Sequence, residues 1–141
     1  MNVHNSRKRH HSYSGIRIRD WISNGFTLRD LELLRKFVHN KIVYNNVSVS
    51  KLRKFYESVV KMRAFIHDPD SCKRLAYKMY VLLHYELGRD KNPGVRILLD
   101  NIISPAIKEL DNSNWDSNKL RNFIDLMESV VAFHREKTKQ N

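Results

Sequence analysis

The 141-residue sequence predicts an all-α fold, a compact bundle of five to six helices. Two observations carry that prediction. Apolar residues recur three and four positions apart along five separate stretches, the period of a helix that buries one side. Strand patterning, by contrast, finds no partner. Ile42–Val47 contains strand-forming residues, yet no second such segment exists to pair with it, so it reads as a connection.

The elements follow in order. Residues 1–15 read as a flexible basic arm around Arg7-Lys8-Arg9-His10-His11, and residues 16–141 as a single helical bundle domain. Ile16, Ile18, Trp21 and Ile22 offer a short helix or turn to the core, and Gly25 punctuates it. Thr27 is a good N-cap with Asp30 three residues on, a shorter relative of the capping-box acid. Leu28, Leu31, Leu34, Phe37 and Val38 then share one side of a helix that should end near Lys41. Ser48 or Ser50 caps the next helix, in which Leu52, Phe55, Tyr56, Val59, Met62 and Ile66 lie together while Arg53, Lys54, Glu57 and Lys61 lie opposite. Asp68-Pro69-Asp70 stops it.

Ser71 should cap a helix running to Leu87, with Gly88 as its C-cap and Asn92-Pro93-Gly94 as the following turn. Its apolar side is Leu75, Met79, Leu82, Leu83 and Leu87. Tyr77, Tyr80 and Tyr85 broaden that side, with most of the rings expected in the core and their hydroxyls at the rim. Val95 to Leu110 is again helical in period, but Pro105 sits inside it. Either the helix kinks there, or it ends and Ser104-Pro105 begins another. The polar loop Asp111–Asn118 has Trp115 as an anchor, and Asp116 or Ser117 caps the last helix, buried through Leu120, Phe123, Ile124, Met127, Val130 and Val131.

The formal charge is +11, more than solubility requires, and it implies a polyanionic partner such as RNA or DNA. The excess sits in the N-terminal two-thirds, whereas residues 95–141 balance their charges. One cysteine, Cys72, excludes a disulfide framework and a thiolate cluster. No apolar run is long enough to span a bilayer and the first residues lack the apolar segment of a secretion signal, so no membrane association and a cytoplasmic location are expected.

Catalytic patterns are missing. There is no HExxH, no paired-cysteine motif, no GxSxG and no phosphate loop, so no enzyme activity, cofactor or metal is expected. Of the seven histidines, His84 lies in an apolar segment and reads as structural; His134 either bonds across the bundle or reaches a nucleic acid. A metal-independent ribonuclease needs no local motif and is the enzyme alternative. Nucleic-acid binding is better supported, because Arg and Lys on a rigid helix contact successive phosphates without reading bases. Lys73, Arg74, Lys78, Arg89 and Lys91 extend the basic surface along the following helix, whose tyrosines have π-faces on which bases stack. A stand-alone helical DNA- or RNA-binding regulator is the alternative. A helix-turn-helix is disfavoured by Asp68-Pro69-Asp70 in place of a glycine-type turn, and by a second helix too apolar to read bases.

Three motifs carry a resemblance. Ser50-Lys51-Leu52-Arg53-Lys54-Phe55-Tyr56 matches S-x-[IL]-R-K-[FY]-[FY]; Arg74-Leu75-Ala76-Tyr77 matches a basic residue before L-A-Y; and Phe123 through Ala132-Phe133-His134 matches a phenylalanine followed by E-A-[IV]-[VL]-A-Y-[HF]. In this order, over roughly residues 42–136, the chain resembles the small all-helical subunit of type III-A CRISPR interference complexes. Phe133 replaces the usual tyrosine, Ser129 a common alanine, and Lys78 stands near the family's arginine after L-A-Y.

The resemblance implies a non-catalytic subunit present in several copies beside the backbone subunits. It implies contact with other subunits of the effector, with neighbouring copies of itself, and with the backbones of guide RNA and target RNA. Arg53, Lys54 and Arg74 become the expected RNA-facing residues, supported by Lys61 and Lys78. Phe55, Tyr77 and Phe133 become core or hinge-packing residues.

Overall fold

The computed structural model describes residues 15–138, which are helices joined by turns and short connections. The arm expected over residues 1–15 lies, but for Gly15, outside the described residues. Helix α1 (Ile18–Asn24) buries Ile18, Trp21 and Ile22 and ends at Gly25, whose φ of 87° a side chain would resist. Helix α2 (Leu28–Phe37) opens on a reciprocal capping box: the Asp30 amide donates to Thr27 Oγ1 at 3.2 Å and the Thr27 amide to Asp30 Oδ2 at 2.9 Å. Leu34 and Phe37 are buried, but Leu28 is 73% exposed. The helix does not stop at Lys41. It widens into a π-helical segment, Val38–Val43, in which the Tyr44 amide donates to the His39 carbonyl at 3.1 Å.

Residues 48–52 form turns instead of helix. Ser48 Oγ accepts from the Lys51 amide at 3.1 Å, so the serine closes a turn, and neither Ser48 nor Ser50 caps α3 (Arg53–Ala64). Helix α4 (Pro69–Asp90) begins earlier and ends later than the sequence suggests. Asp68 is its cap, accepting from the Ser71 amide at 3.2 Å, and Pro69 fills the first position, where a missing N–H costs nothing. Gly88 lies inside the helix; Lys91, left-handed at φ 52°, closes it. The buried line on α4 is Cys72, Ala76, Met79, Leu83 and Leu87. Tyr77, Tyr80 and Tyr85 are therefore surface residues, 39%, 36% and 66% exposed, and the expectation of rings mostly in the core is corrected.

Helix α5 (Pro93–Leu98) passes through a second π-helical segment (Leu99–Ile103) into α6 (Ser104–Asn112) without a break. Here Pro105 finds a third solution. The Ser104 amide donates to the Leu99 carbonyl, and this wider register before the proline lets the rod continue past a residue with no N–H of its own. Counted as continuous rods, the described residues hold six helices. Trp115 is buried, with its Nε1–H on Asp111 Oδ1 at 2.8 Å, and Asp116 accepts from the Asn118 and Lys119 amides at the head of α7 (Ser117–Thr138).

Helix α7 is the spine. It packs on α1, the first π-helical segment and α3, with Leu120, Phe123, Ile124, Met127 and Val130 buried in the common core. Helix α4 lies on the opposite side, against α3, α5 and α6, so α3 is sandwiched between α4 and α7. Burying each large aliphatic or aromatic side chain of this core is worth about 1.5–3 kcal/mol.

Candidate nucleic-acid interface

Helices α3 and α4 run antiparallel. The Cys72 thiol, at the start of α4, donates to the carbonyls of Phe65 and Met62 at the end of α3. Burial pushes that thiol's pKa up, which makes it an inert packing group. At the other end Lys51 reaches Asp90 and lies 3.7 Å from Glu86. This pair holds the Asp90 carboxyl below its ordinary range. Between these two clasps a groove follows the seam. Its first stretch, of about 220 Å³, is lined by Arg53, Lys54, Leu82, Tyr85, Glu86 and Arg89 among others. A second stretch shares Lys54 and Leu82 and adds Glu57, Lys61, Leu75 and Lys78.

The cations of this region divide into two sets. Lys51 is tied as described. Arg63 binds Glu128 through Nε at 2.9 Å and Nη2 at 2.8 Å, and Asp125 at 2.5 Å, bracing α3 to α7. That guanidinium holds the Glu128 carboxyl below its usual range. The second set, Arg53, Lys54, Lys61 and Lys78, is exposed and makes no hydrogen bond or ion pair with any described residue. All four line the groove. Arg74, the fifth residue expected to face RNA, is exposed beside Ser71, whose Oγ it reaches at 3.4 Å, and is not among the residues that line the groove.

Local energetics set Arg53 and Lys54 apart. They stand in the first turn of α3, which has no acid and no side-chain cap. The positive end of the helix dipole disfavours cations there and favours anions. A helix rise of 1.5 Å per residue puts Arg53 and Lys61 about 12 Å apart along the axis. That is the reach of three or four phosphates at roughly 3.4 Å of rise each.

His134 is fully buried and belongs to the fold. Its Nε2–H donates to the Val47 carbonyl at 2.6 Å, which leaves Nδ1 to accept from the Tyr56 hydroxyl at 2.5 Å. Burial lowers the histidine pKa and pushes the tyrosine up to about 12. The reading of His134 as a nucleic-acid contact is thus overturned, and the cross-bundle bond is what it makes. His84 is exposed, its ring edge-on to Tyr80. Phe55 is buried and Phe133 packs against the core, but Tyr77 lies on the surface, bonded to Asp111 at 2.6 Å and edge-on to Trp115. Among the described residues no cluster of three or more His, Cys, Asp or Glu is placed to hold a metal, and no helix is long and apolar enough to cross a membrane.

Nothing in the sequence joins Arg89 and Tyr85 to Arg53 and Lys54. Their spacing from Lys78 and Leu82 marks one face of α4, but the antiparallel pairing that brings this face to α3 is a tertiary fact.

Fold and groove together define a basic all-helical module with a strip of unpaired cations along one interhelical seam. The family model Csm2 Type III-A matches residues 30–140, and the chain belongs to that family. It is a small subunit of a type III-A CRISPR complex and associates with that complex's other subunits. No curated protein and no solved structure matches it. Helix α1 precedes the matched stretch, yet it is built into the core: Arg19 and Ser23 bond Glu109, and Asn122 Nδ2 donates to the Ile22 carbonyl at 2.9 Å.

Proposed function

We propose that this subunit is non-catalytic and holds the backbones of guide RNA and target RNA along the α3–α4 seam, acting as one helical domain over residues 16–141. Neighbouring copies of the chain would continue the strip along the RNA. The observation that carries this reading is the division of cations. Along the α3–α4 seam Lys51 and Arg63 brace the fold through acids, whereas Arg53, Lys54, Lys61 and Lys78, which pair with no described residue, line one groove. Arg53, Lys54, Lys61 and Lys78 form the continuous contact, and Arg74 extends it at the start of α4. Contacts of this kind grip phosphate without reading sequence.

The test is reconstitution of the complex with Arg53, Lys54, Lys61 and Lys78 all changed to alanine. Incorporation should be preserved, and target RNA should bind more weakly with a shallower dependence on salt. Removing one cation from a duplex phosphate lowers that slope by about 0.9. Unchanged affinity and slope would refute the reading. RNA cleavage by the isolated chain would refute the non-catalytic part of it.

A further inference from the structure

We infer that the first stretch of the groove is a nucleotide pocket, in which Tyr85 stacks one unpaired RNA base and Arg53, Lys54 and Arg89 hold the flanking phosphates. This rests on the proposed RNA-facing role and adds to it a contact with a base, where a backbone grip has none.

The tyrosines differ first in which of them is available. Tyr56 is bolted to His134, Tyr77 to Asp111 and Trp115, and Tyr80 lies against His84, while Tyr44, 80% exposed, is equally unpartnered but lies outside the groove. Tyr85 is 66% exposed and makes no hydrogen bond or ring contact with any described residue. Much of this ring's apolar area is left in water, where a stacking partner could cover it. It also stands where cations converge. Arg53 and Lys54 reach the same groove from α3 and Arg89 from α4, over a floor that includes Met79, Leu82 and Leu83. Glu86 is the acid in the lining, and it is already occupied by Lys51 and by Arg89 at 3.3 Å, so the pocket remains net positive.

An aromatic face beside cations is the chemistry by which single-stranded nucleic acid is held without sequence preference. A duplex does not offer it a base, because paired bases are stacked inside. The volume of about 220 Å³ is below the roughly 300–1,000 Å³ of a pocket for a drug-sized ligand, which suits one base rather than two.

The experiment measures binding of the full chain, by fluorescence anisotropy at low salt, to three probes: a short oligouridylate, the same ribose-phosphate chain without bases, and an RNA duplex. Tyr85→Ala should weaken oligouridylate binding about 5- to 150-fold. It should leave the abasic and duplex probes unchanged and the salt slope intact, since no phosphate contact is removed. Tyr85→Phe should bind like the parent chain. Equal weakening on the abasic probe, no weakening on oligouridylate, or no binding of oligouridylate by the parent chain would each overturn the pocket. So would a Tyr85→Ala chain that binds oligouridylate normally but fails to join the complex, which would make Tyr85 a protein contact. The two readings fail separately. If Tyr85→Ala is silent while the four-alanine chain loses duplex binding, the backbone role stands and the pocket falls. If the four-alanine chain binds duplex normally, the backbone role falls.

Discussion

Changing Arg53 and Lys54 together to alanine should weaken RNA binding and raise the stability of the free protein, a pairing of effects that few other substitutions here would produce. Both residues face a partly uncapped helix N-terminus whose first turn contains no acid. A charge near a helix end is worth about 0.3–1 kcal/mol, unfavourable for a cation at the N-terminus. Alanine also has the better helix propensity. Neither side chain has a partner among the described residues to lose. The free chain should therefore melt a few degrees higher, at roughly 2–8 °C per kcal/mol for a domain of this size. On RNA the sign reverses. Two phosphate contacts contribute about 1.8 to the slope of log affinity against log salt, so between 50 and 200 mM salt the variant should forfeit about 12-fold less affinity than the parent. Anisotropy titrations with an RNA duplex across that range, and thermal melts followed by circular dichroism, measure the two halves. An unchanged slope would show that neither residue meets phosphate. A lower melting temperature would show that the side-chain stems pack against the seam and that the division into bracing and free cations is wrong.

Two further outcomes concern the scaffold that positions the groove. Burial depresses the His134 pKa, so between the unfolded value of about 6.5 and the lower folded value only the unfolded chain takes up the proton; stability should fall by up to about 1.4 kcal/mol per pH unit there. Melts from pH 7.5 to 5 should show this decline, and His134→Phe should flatten the part it contributes. Arg63→Ala should cost about 1 kcal/mol, the upper end for a partly exposed pair because the contact is bidentate. Because Arg63 lowers the Glu128 pKa, the stability it lends is present at neutral pH and lost as pH drops below the ordinary carboxylate range, so variant and parent should converge in acid melts.

The helical period of the sequence was enough for the class of fold and for most of the core. Phe55, Val59 and Met62, or Leu120, Phe123 and Ile124, are buried where their spacing puts them. Boundaries were less legible, for identifiable reasons. Asp68 took the capping role from Ser71 because Pro69 is better placed as the first helical residue than before it. Gly88 did not end α4, because the clasp of Lys51 on Glu86 and Asp90 gives the next turn something to hold. Pro105 did not break its rod, because a π-helical register is a way past proline that a reading in turns of 3.6 residues does not contain.

The candidate site was legible in its charges and illegible in its shape. A helical wheel separates Arg53, Lys54 and Lys61 from the apolar stripe, but it treats every cation off the stripe alike. Pairing is what distinguishes them, and pairing is tertiary. Arg63 meets acids 62 and 65 positions away, and Lys51 meets one 39 positions away. Tyrosine is ambiguous in the same manner. On α4 a wheel puts Tyr77, Tyr80 and Tyr85 on the flank of the apolar side, where a ring can pack or stand free. The neighbours decide: Asp111 and Trp115 take up Tyr77, whereas nothing takes up Tyr85. Charges and rings that a fold leaves without partners, on a seam otherwise closed at both ends, are where a binding role costs the bundle least, and the Arg53–Tyr85 groove is such a place.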